Sequence, residues 1–271
     1  MPVIATNTAA NTALRYLNVN SDEQSGNLAR IASGSRITKA SDDASGLAIG
    51  TKLQMDVATL TQAQTNAANG ASILSVADGG MSSISDILSR MKTLATQSLS
   101  GTVTDTERAY IDAEMTELIA EIDSIVAATS FNGTSLLDGS YAAVNFLAGT
   151  EATDVLTVTI TNVDSTALGV AAAAVDTAAN ATTALGLIDT AIDALSAARA
   201  TVGATMSRFE FREGMLATSL ENTDAAQSSI MDADIASEQA ELASNEVKTQ
   251  AAIAALAQAN QLPQELLDLL R

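Results

Sequence analysis

The 271-residue chain contains no cysteine, no histidine and no tryptophan. Without Cys and His there is no thiol nucleophile, no disulfide, no Cys/His zinc site and no imidazole for acid–base work near neutral pH. A Cys-free chain fits any redox compartment, the outside of a cell included. Aromatic residues supply only 3% of the chain. A core built with so few of these large side chains must be filled by Ala, Leu, Ile and Val, which suits close-packed helices better than a rounded core. Pro2 and Pro263 are the only prolines, so no residue between them is barred from a helix interior by a missing N–H. No run of about 18 apolar residues occurs, and no membrane span is expected. The N-terminus lacks the basic and apolar regions of a signal peptide, so export, if any, is expected to need no cleaved signal. Gly-rich phosphate loops, Gly-x-Ser-x-Gly and basic–aromatic stripes are absent as well.

Charge is unevenly placed. Residues 1–100 hold seven basic and seven acidic side chains, so the rest of the chain carries the whole formal charge of −19. Such a surface repels nucleic acid and anionic membrane, and neither is expected as a partner. The paired carboxylates Asp42/Asp43, Glu117/Glu121 and Asp232/Asp234 could in principle serve acid–base or metal chemistry. Adjacent residues on a helix point apart, and none of these pairs sits in a calcium-type loop, so helix capping or solvation is the better reading. No enzyme activity, catalytic residue, metal site or cofactor is expected.

What the chain does have is helical periodicity. A first tract runs from about Asn7 to Ala32 and stops at Ser33-Gly34-Ser35, where Gly34 suits the left-handed position after a helix end. Ser41, Asp42 and Asp43 can cap the next helix. In that helix Leu53, Leu60, Ala67, Leu74, Met81, Leu88 and Ala95 recur every seven residues, a coiled-coil-like seam. Its companion positions are weaker, because Gln64, Asp78, Ser85 and Lys92 do not fit. Gly79-Gly80 is expected to make a weak point or bend. Thr104-Asp105-Thr106-Glu107 fits a capping box ahead of the seam Ile111, Met115, Leu118, Ile122 and Ile125. Asn132-Gly133 and Asp138-Gly139 are turn signals. Val155–Thr161 alternates, with Leu156, Val158 and Ile160 on one face, and can form a hairpin with Ala143–Leu147. A long helix is expected to resume near Leu185, with Ile188, Leu195, Val202, Phe209 and Leu216 seven apart and Arg199 a misfit. A second break is expected at Asp224–Ser229. The pattern predicts a mainly α chain: a long antiparallel coiled-coil-like helical bundle with a small central β hairpin, both termini helical and paired at one pole.

The two ends are apolar where chain ends are usually polar and frayed. Leu14, Leu17, Leu28 and Ile31 lie in the first tract; Ile253, Leu256, Leu262, Leu266, Leu267, Leu269 and Leu270 lie in the last. Apolar helical stripes usually form intramolecular core, but the chain offers no further apolar element to cover these, so they are expected to pack between subunits.

Several ordered motifs resemble those of bacterial flagellins. They are Ala5-Thr-Asn-Thr-Ala-Ala-Asn-Thr-Ala-Leu14, Arg30-Ile-Ala-Ser-Gly-Ser-Arg-Ile37, Ser41-Asp-Asp-Ala-Ser-Gly-Leu-Ala-Ile49, Ser130-Phe-Asn-Gly-Thr-Ser-Leu-Leu137, Ile230-Met-Asp-Ala-Asp-Ile-Ala-Ser-Glu238 and Leu256-Ala-Gln-Ala-Asn-Gln261, followed by Pro263–Arg271. The resemblance covers about 1–137 and 185–271. It implies a filament subunit of the bacterial flagellum, outside the cell, polymerising with itself or mixed with other flagellins. It further implies partners in the flagellar cap and hook-junction proteins, the type III export apparatus and a chaperone. The implied domains are 1–40 plus 228–271 as an inner tube of terminal helices, 41–137 plus 185–227 as a helical shell, and 138–184 as a β hairpin and short surface-exposed insertion. Gly34, Arg36, Ser41, Asp42 and Asp43 form the implied helix-break and capping group. In members sensed by the flagellin-specific Toll-like receptor the matching stretch reads close to Gln-Arg-x-Arg-Glu-Leu; here Arg90 is kept and Thr93 replaces the acidic residue. A hook–filament junction protein is the alternative within this structural class, and the continuous match through Leu137 argues against it. A soluble enzyme or binding module would need a polar constellation that the residues do not supply.

Overall fold

The structure, a computed structural model, describes residues 6–268, and residues 262–268 by their backbone alone. Five helices and four short strands follow in order: α1 (Thr8–Ser33), α2 (Ala44–Ser98), α3 (Asp105–Ala128), β1 (Ser130–Phe131), β2 (Thr134–Ser135), β3 (Val144–Leu147), β4 (Val155–Val158), α4 (Ala178–Met231) and α5 (Ile235–Asp268). Two compact units result, Met1–Asp56 with Asn222–Arg271, and Val57–Glu221. The contiguous cluster of buried apolar residues, from Leu60 to Leu216, lies wholly in the second unit.

In that unit the heptad positions do what their spacing predicts. Leu60, Ala67, Leu74, Met81, Leu88 and Ala95 of α2 are buried, as are Ile188, Leu195, Val202, Phe209 and Leu216 of α4. Helix α3 contributes Ile111, Met115 and Ile122, with Leu118 and Ile125 partly covered. Its N-terminus carries the expected capping box between Thr104 and Glu107. The seam misfits pair with one another: Arg199 Nε and Nη2 donate to the two carboxylate oxygens of Asp78 at 2.8 and 3.2 Å. Lys92 Nζ lies 2.6 Å from Asp189. As residue numbers rise along α2 they fall along α4, so the two helices are antiparallel and these half-exposed pairs mark their register.

Helix α2 runs unbroken through Gly79-Gly80, where a weak point or bend is expected and no domain boundary falls. Gly80 is small because of its neighbours. A Cβ there would sit 2.6 Å from Thr129 Oγ1 and 2.9 Å from Leu137 Cδ1. Surrounding packing holds the helix where propensity alone weakens it.

The hairpin pairs Val144 with Val158 and Leu147 with Val155, antiparallel, and buries Leu156, Val158 and Ile160 on one face as their alternation requires. Asn132 and Gly133, with φ of 49° and 78°, close a smaller two-residue hairpin between β1 and β2. Residues 163–176 form no regular element, yet Val163, Leu168, Val170 and Val175 are buried. Carboxylates of α3 hold this segment: Asp123 accepts from both the N–H and the hydroxyl of Ser165 at 2.9 and 2.8 Å, and Asp112 accepts from the Val175 N–H at 2.7 Å. Helix α4 begins at Ala178 and not near Leu185, because Thr177 caps it through the Asn180 N–H and the alanines that follow favour helix.

The first unit holds α1, α5 and the adjoining ends of α2 and α4. Gly34 ends α1 with φ of 69°, as expected, and its N–H donates to the Arg30 carbonyl. The second break lies at Asp232–Asp234, not at Asp224–Ser229. That polar run contains neither Gly nor Pro, and α4 continues through it to Met231. Asp234 Oδ1 accepts from the N–H groups of Ala236 and Ser237 at the start of α5.

Candidate assembly surface

The two breaks are joined backbone to backbone. The Arg36 N–H donates to the Met231 carbonyl at 2.7 Å, and the Ala233 N–H to the Gly34 carbonyl at 2.9 Å. The Arg36 guanidinium donates to the Ile230 carbonyl at 2.9 Å. Asp43 is the residue that caps α2, accepting from the Gly46 N–H at 2.8 Å. Asp42 does different work: one carboxylate oxygen accepts from the N–H groups of Thr38 and Lys39 and from the Thr38 hydroxyl. Ser41 lies exposed beside them. Hydrogen bonding from the Lys39 N–H, ahead of the Thr38 donors, holds the Asp42 carboxyl below its ordinary value of 3.8. Because the folded value is depressed, the contribution is complete above pH 3.8 and is lost as pH falls through the lower folded value. An NMR titration of the Lys39 amide is expected to show its midpoint below 3.8 and to lose that transition in Asp42→Asn.

Helices α1 and α5 run antiparallel. Asn7 accepts from the Ala10 N–H at the start of α1 and donates to the Ala259 carbonyl at 2.7 Å near the far end of α5. At the other end Arg30 Nη1 lies 3.3 Å from Glu238 Oε1. The more covered positions fall three or four apart on each helix: Ala10, Ala13, Leu17, Asn20, Gln24, Asn27 and Ile31 on α1; Glu238, Leu242, Asn245, Thr249, Ala252, Leu256 and Ala259 on α5. Most of these residues are small or polar; Leu17, Ile31, Leu242 and Leu256 are the large apolar ones, and each is only partly buried. Among the described residues of the two helices only Asn27, Asn245 and Ala259 are buried. Small seam residues let the two backbones approach within 8 Å, Cα to Cα, but they remove little apolar area from water.

Larger apolar side chains of the same helices are left outside. Leu28 is 58% exposed and Ile253 54%, and Leu14, Tyr16, Val19 and Val247 are exposed with them. Of the residues expected between subunits, Leu17, Ile31 and Leu256 thus lie half-buried in the α1/α5 seam, while Leu14, Leu28 and Ile253 face outward. The side chains of Leu262, Leu266 and Leu267, and all of Leu269 and Leu270, lie outside the described residues. Among the described residues no group of three or more acidic side chains is placed to hold a metal ion, and no helix is long and apolar enough to cross a membrane.

The family profile of the bacterial flagellin N-terminal helical region matches residues 4–142, and that of the C-terminal helical region matches residues 185–270. The chain belongs to the bacterial flagellin family. The flagellar filament 30.7 kDa core protein of Treponema maltophilum is 35% identical to it over 283 residues, covering 99% of each chain. The flagellin of Halalkalibacterium halodurans is 36% identical over 271 residues, covering 99% of this chain and all of that one. The crystal structure of Bacillus cereus flagellin matches with a TM-score of 0.51 at 31% identity, over 56% of this chain and 88% of that one.

In this flagellin Arg90 is exposed on α2 and engaged: Nε and Nη2 donate to Glu114 Oε1 on α3 at 2.9 and 2.6 Å. Sequence reasoning did not find the junction of Gly34 with Ala233 and Arg36 with Met231, the pairing of Asn7 with α5, or the buried Asn27. Polar residues at seam positions break the apolar pattern by which seams are recognised, so only the fold reveals them.

Proposed function

We propose that the chain is a structural subunit that polymerises into the helical flagellar filament used for swimming, outside the cell, and that it carries no enzyme activity. The observation that carries this reading is the mismatch on α1 and α5, whose mutual seam is mostly small and polar while Leu14, Leu28 and Ile253 stay exposed. Docking on neighbouring copies removes those side chains from water at about 25 cal/mol per Å². Isolated helices rely on packing an amphipathic face, so the terminal pair gains most of its order from assembly, and growth is confined to the filament tip where copies already present offer that face. In this reading 1–40 with 228–271 lines the inner tube, 41–137 with 185–227 forms the helical shell, and 138–184 faces outward. Cap and hook-junction proteins, the type III export apparatus and a chaperone are the further partners.

Deleting residues 266–271 tests it. The truncated chain is expected to form no filaments by electron microscopy while its α2–α4 helices keep their thermal transition. Normal filaments from that chain would remove the terminal-helix mechanism, and a ring in place of a long filament from the intact chain would indicate a junction protein.

A further inference from the structure

We propose that Asn132 is a site of spontaneous covalent modification, at which the Gly133 amide nitrogen attacks the Asn132 side-chain carbonyl carbon. The new N–Cγ bond closes a succinimide ring. The proton of the Gly133 N–H goes with Nδ2, which leaves as ammonia. Water then opens one of the two imide C–N bonds. One opening leaves aspartate, and the other leaves isoaspartate, whose main chain is one methylene longer. Water is the only co-reactant, and neither a partner chain nor a filament is needed.

The chain holds four Asn-Gly or Asp-Gly steps, Asn69-Gly70, Asp78-Gly79, Asn132-Gly133 and Asp138-Gly139, and the fold leaves one of them free to react. Asn69-Gly70 and Asp78-Gly79 lie inside α2, where the glycine N–H is tied to the carbonyl four residues back. Asp78 is further held by Arg199. Asp138 Oδ1 accepts from the Ser140 N–H at 2.9 Å. Hydrogen bonding from the Ser140 hydroxyl, ahead of its N–H, holds the Asp138 carboxyl below its ordinary value of 3.8. It therefore stays an anion, which a backbone nitrogen attacks poorly. Asn132 is exposed, and neither its side chain nor the Gly133 N–H takes part in a hydrogen bond among the described residues. A Cβ at Gly133 would meet nothing within 4 Å, so the turn stands in open space.

Ring closure requires the turn to rotate out of the left-handed conformation that Asn132 holds at φ of 49°. Only the pairs Ser130–Ser135 and Phe131–Thr134 resist that rotation, and so short a two-stranded hairpin opens at small cost. The positive φ that selects Asn-Gly for this turn thus builds in the reactive step. An added methylene cannot be absorbed by a two-residue turn. Beyond it the chain is anchored, because the Leu136 N–H donates to the Thr129 carbonyl at 3.1 Å and the Val163 N–H to the Leu137 carbonyl at 3.0 Å. Leu136 and Leu137 are both fully buried, so isoaspartate at the tip strains the core of the second unit.

The test holds the full folded chain in mildly alkaline buffer. Peptide masses report ammonia loss at each asparagine, and isoaspartyl methyltransferase with a labelled methyl donor marks isoaspartate. Asn132 is expected to react at least about a hundredfold faster than Asn69, whose reaction waits on opening of α2. In denaturant, where neither segment is held, the two are expected to react within about threefold of each other. Equal rates in the folded chain would overturn the proposal, because global unfolding would then be the route. So would an Asn132 that reacts in denaturant and not in the folded chain, because the turn would then protect it as the helix protects Asn69. The deamidated fraction, separated by ion exchange, is expected to melt below the fresh chain, while Asn132→Asp, which adds the charge without the methylene, melts with it. A deamidated fraction that is rich in isoaspartate and melts unchanged would overturn the coupling of the turn to the core.

Discussion

Leu28→Asp and Ile253→Asp are each expected to abolish filament growth at concentrations where the wild-type chain polymerises fully, while leaving monomer melting unchanged. Both side chains are more than half exposed in the protomer, so a carboxylate there stays hydrated and the folded chain shifts by no more than about 0.5 kcal/mol. In the filament the same positions are to be covered. Full burial of a Leu or Ile contributes about 1.5–3 kcal/mol, and an unpaired carboxylate in its place adds a desolvation cost. A loss of about 2.8 kcal/mol raises the critical concentration a hundredfold, and each subunit forfeits it in every copy. Leu17→Asp and Leu256→Asp form the contrast, because those residues are half-buried in the α1/α5 seam and their loss weakens the monomer's own helix pair. Sedimentation of polymer and circular dichroism of monomer separate the two classes. Filaments of normal length from Leu28→Asp would show that this side of α1 stays in solvent.

The second unit was largely legible in the sequence, and the first was not, for a physical reason. Where Leu, Ile, Val, Met and Phe recur every seven residues, burial follows spacing, and Leu74, Met81, Ile188 and Phe209 are all buried as read. The alternation of Leu156, Val158 and Ile160 located its hairpin the same way. Periodicity has nothing to say about 163–176, because that segment is held by Asp112 and Asp123, which come from another helix. The second break was misplaced by several residues because polar composition is a weak helix breaker; Asp234 begins α5 through a specific cap. The terminal seam was hidden for the opposite reason. Most of its covered positions are Ala, Asn, Gln and Thr, and of the apolar residues named from the sequence Leu17, Ile31 and Leu256 lie within it while Leu14, Leu28 and Ile253 sit outside. The apolar residues of α1 were correctly noticed, and their placement separates those that join α1 to α5 from those left open.

Phe209→Ala is expected to destabilise the second unit by about 3–5 kcal/mol, and adding Gly70→Ala is expected to recover part of that loss. Phe209 is 1% exposed. Its ring meets Phe146 edge to face, with centroids 5.5 Å apart and planes at 86°, a geometry that contributes about 0.5–1.5 kcal/mol beyond area. Gly70 of α2 lies against the same ring, and a Cβ there would stand 2.5 Å from Phe209 Cε1. In the wild-type background two effects of Gly70→Ala oppose each other: about 1 kcal/mol gained in helix propensity and about 1–3 kcal/mol lost to overpacking against a ring already in edge-to-face contact with Phe146. The net is neutral to destabilising. In the Phe209→Ala background the ring is gone, the clash term vanishes and the propensity gain remains, so the substitution changes sign. Hydrogen exchange at α2 amides reads the unit's stability separately from the terminal helices. A double variant more stable than Phe209→Ala alone, with a coupling of at least about 1 kcal/mol, is the expected result. Additive effects would mean that Gly70 is not small on account of Phe209, and that the two long helices approach each other here for some reason other than a ring seated on a bare backbone.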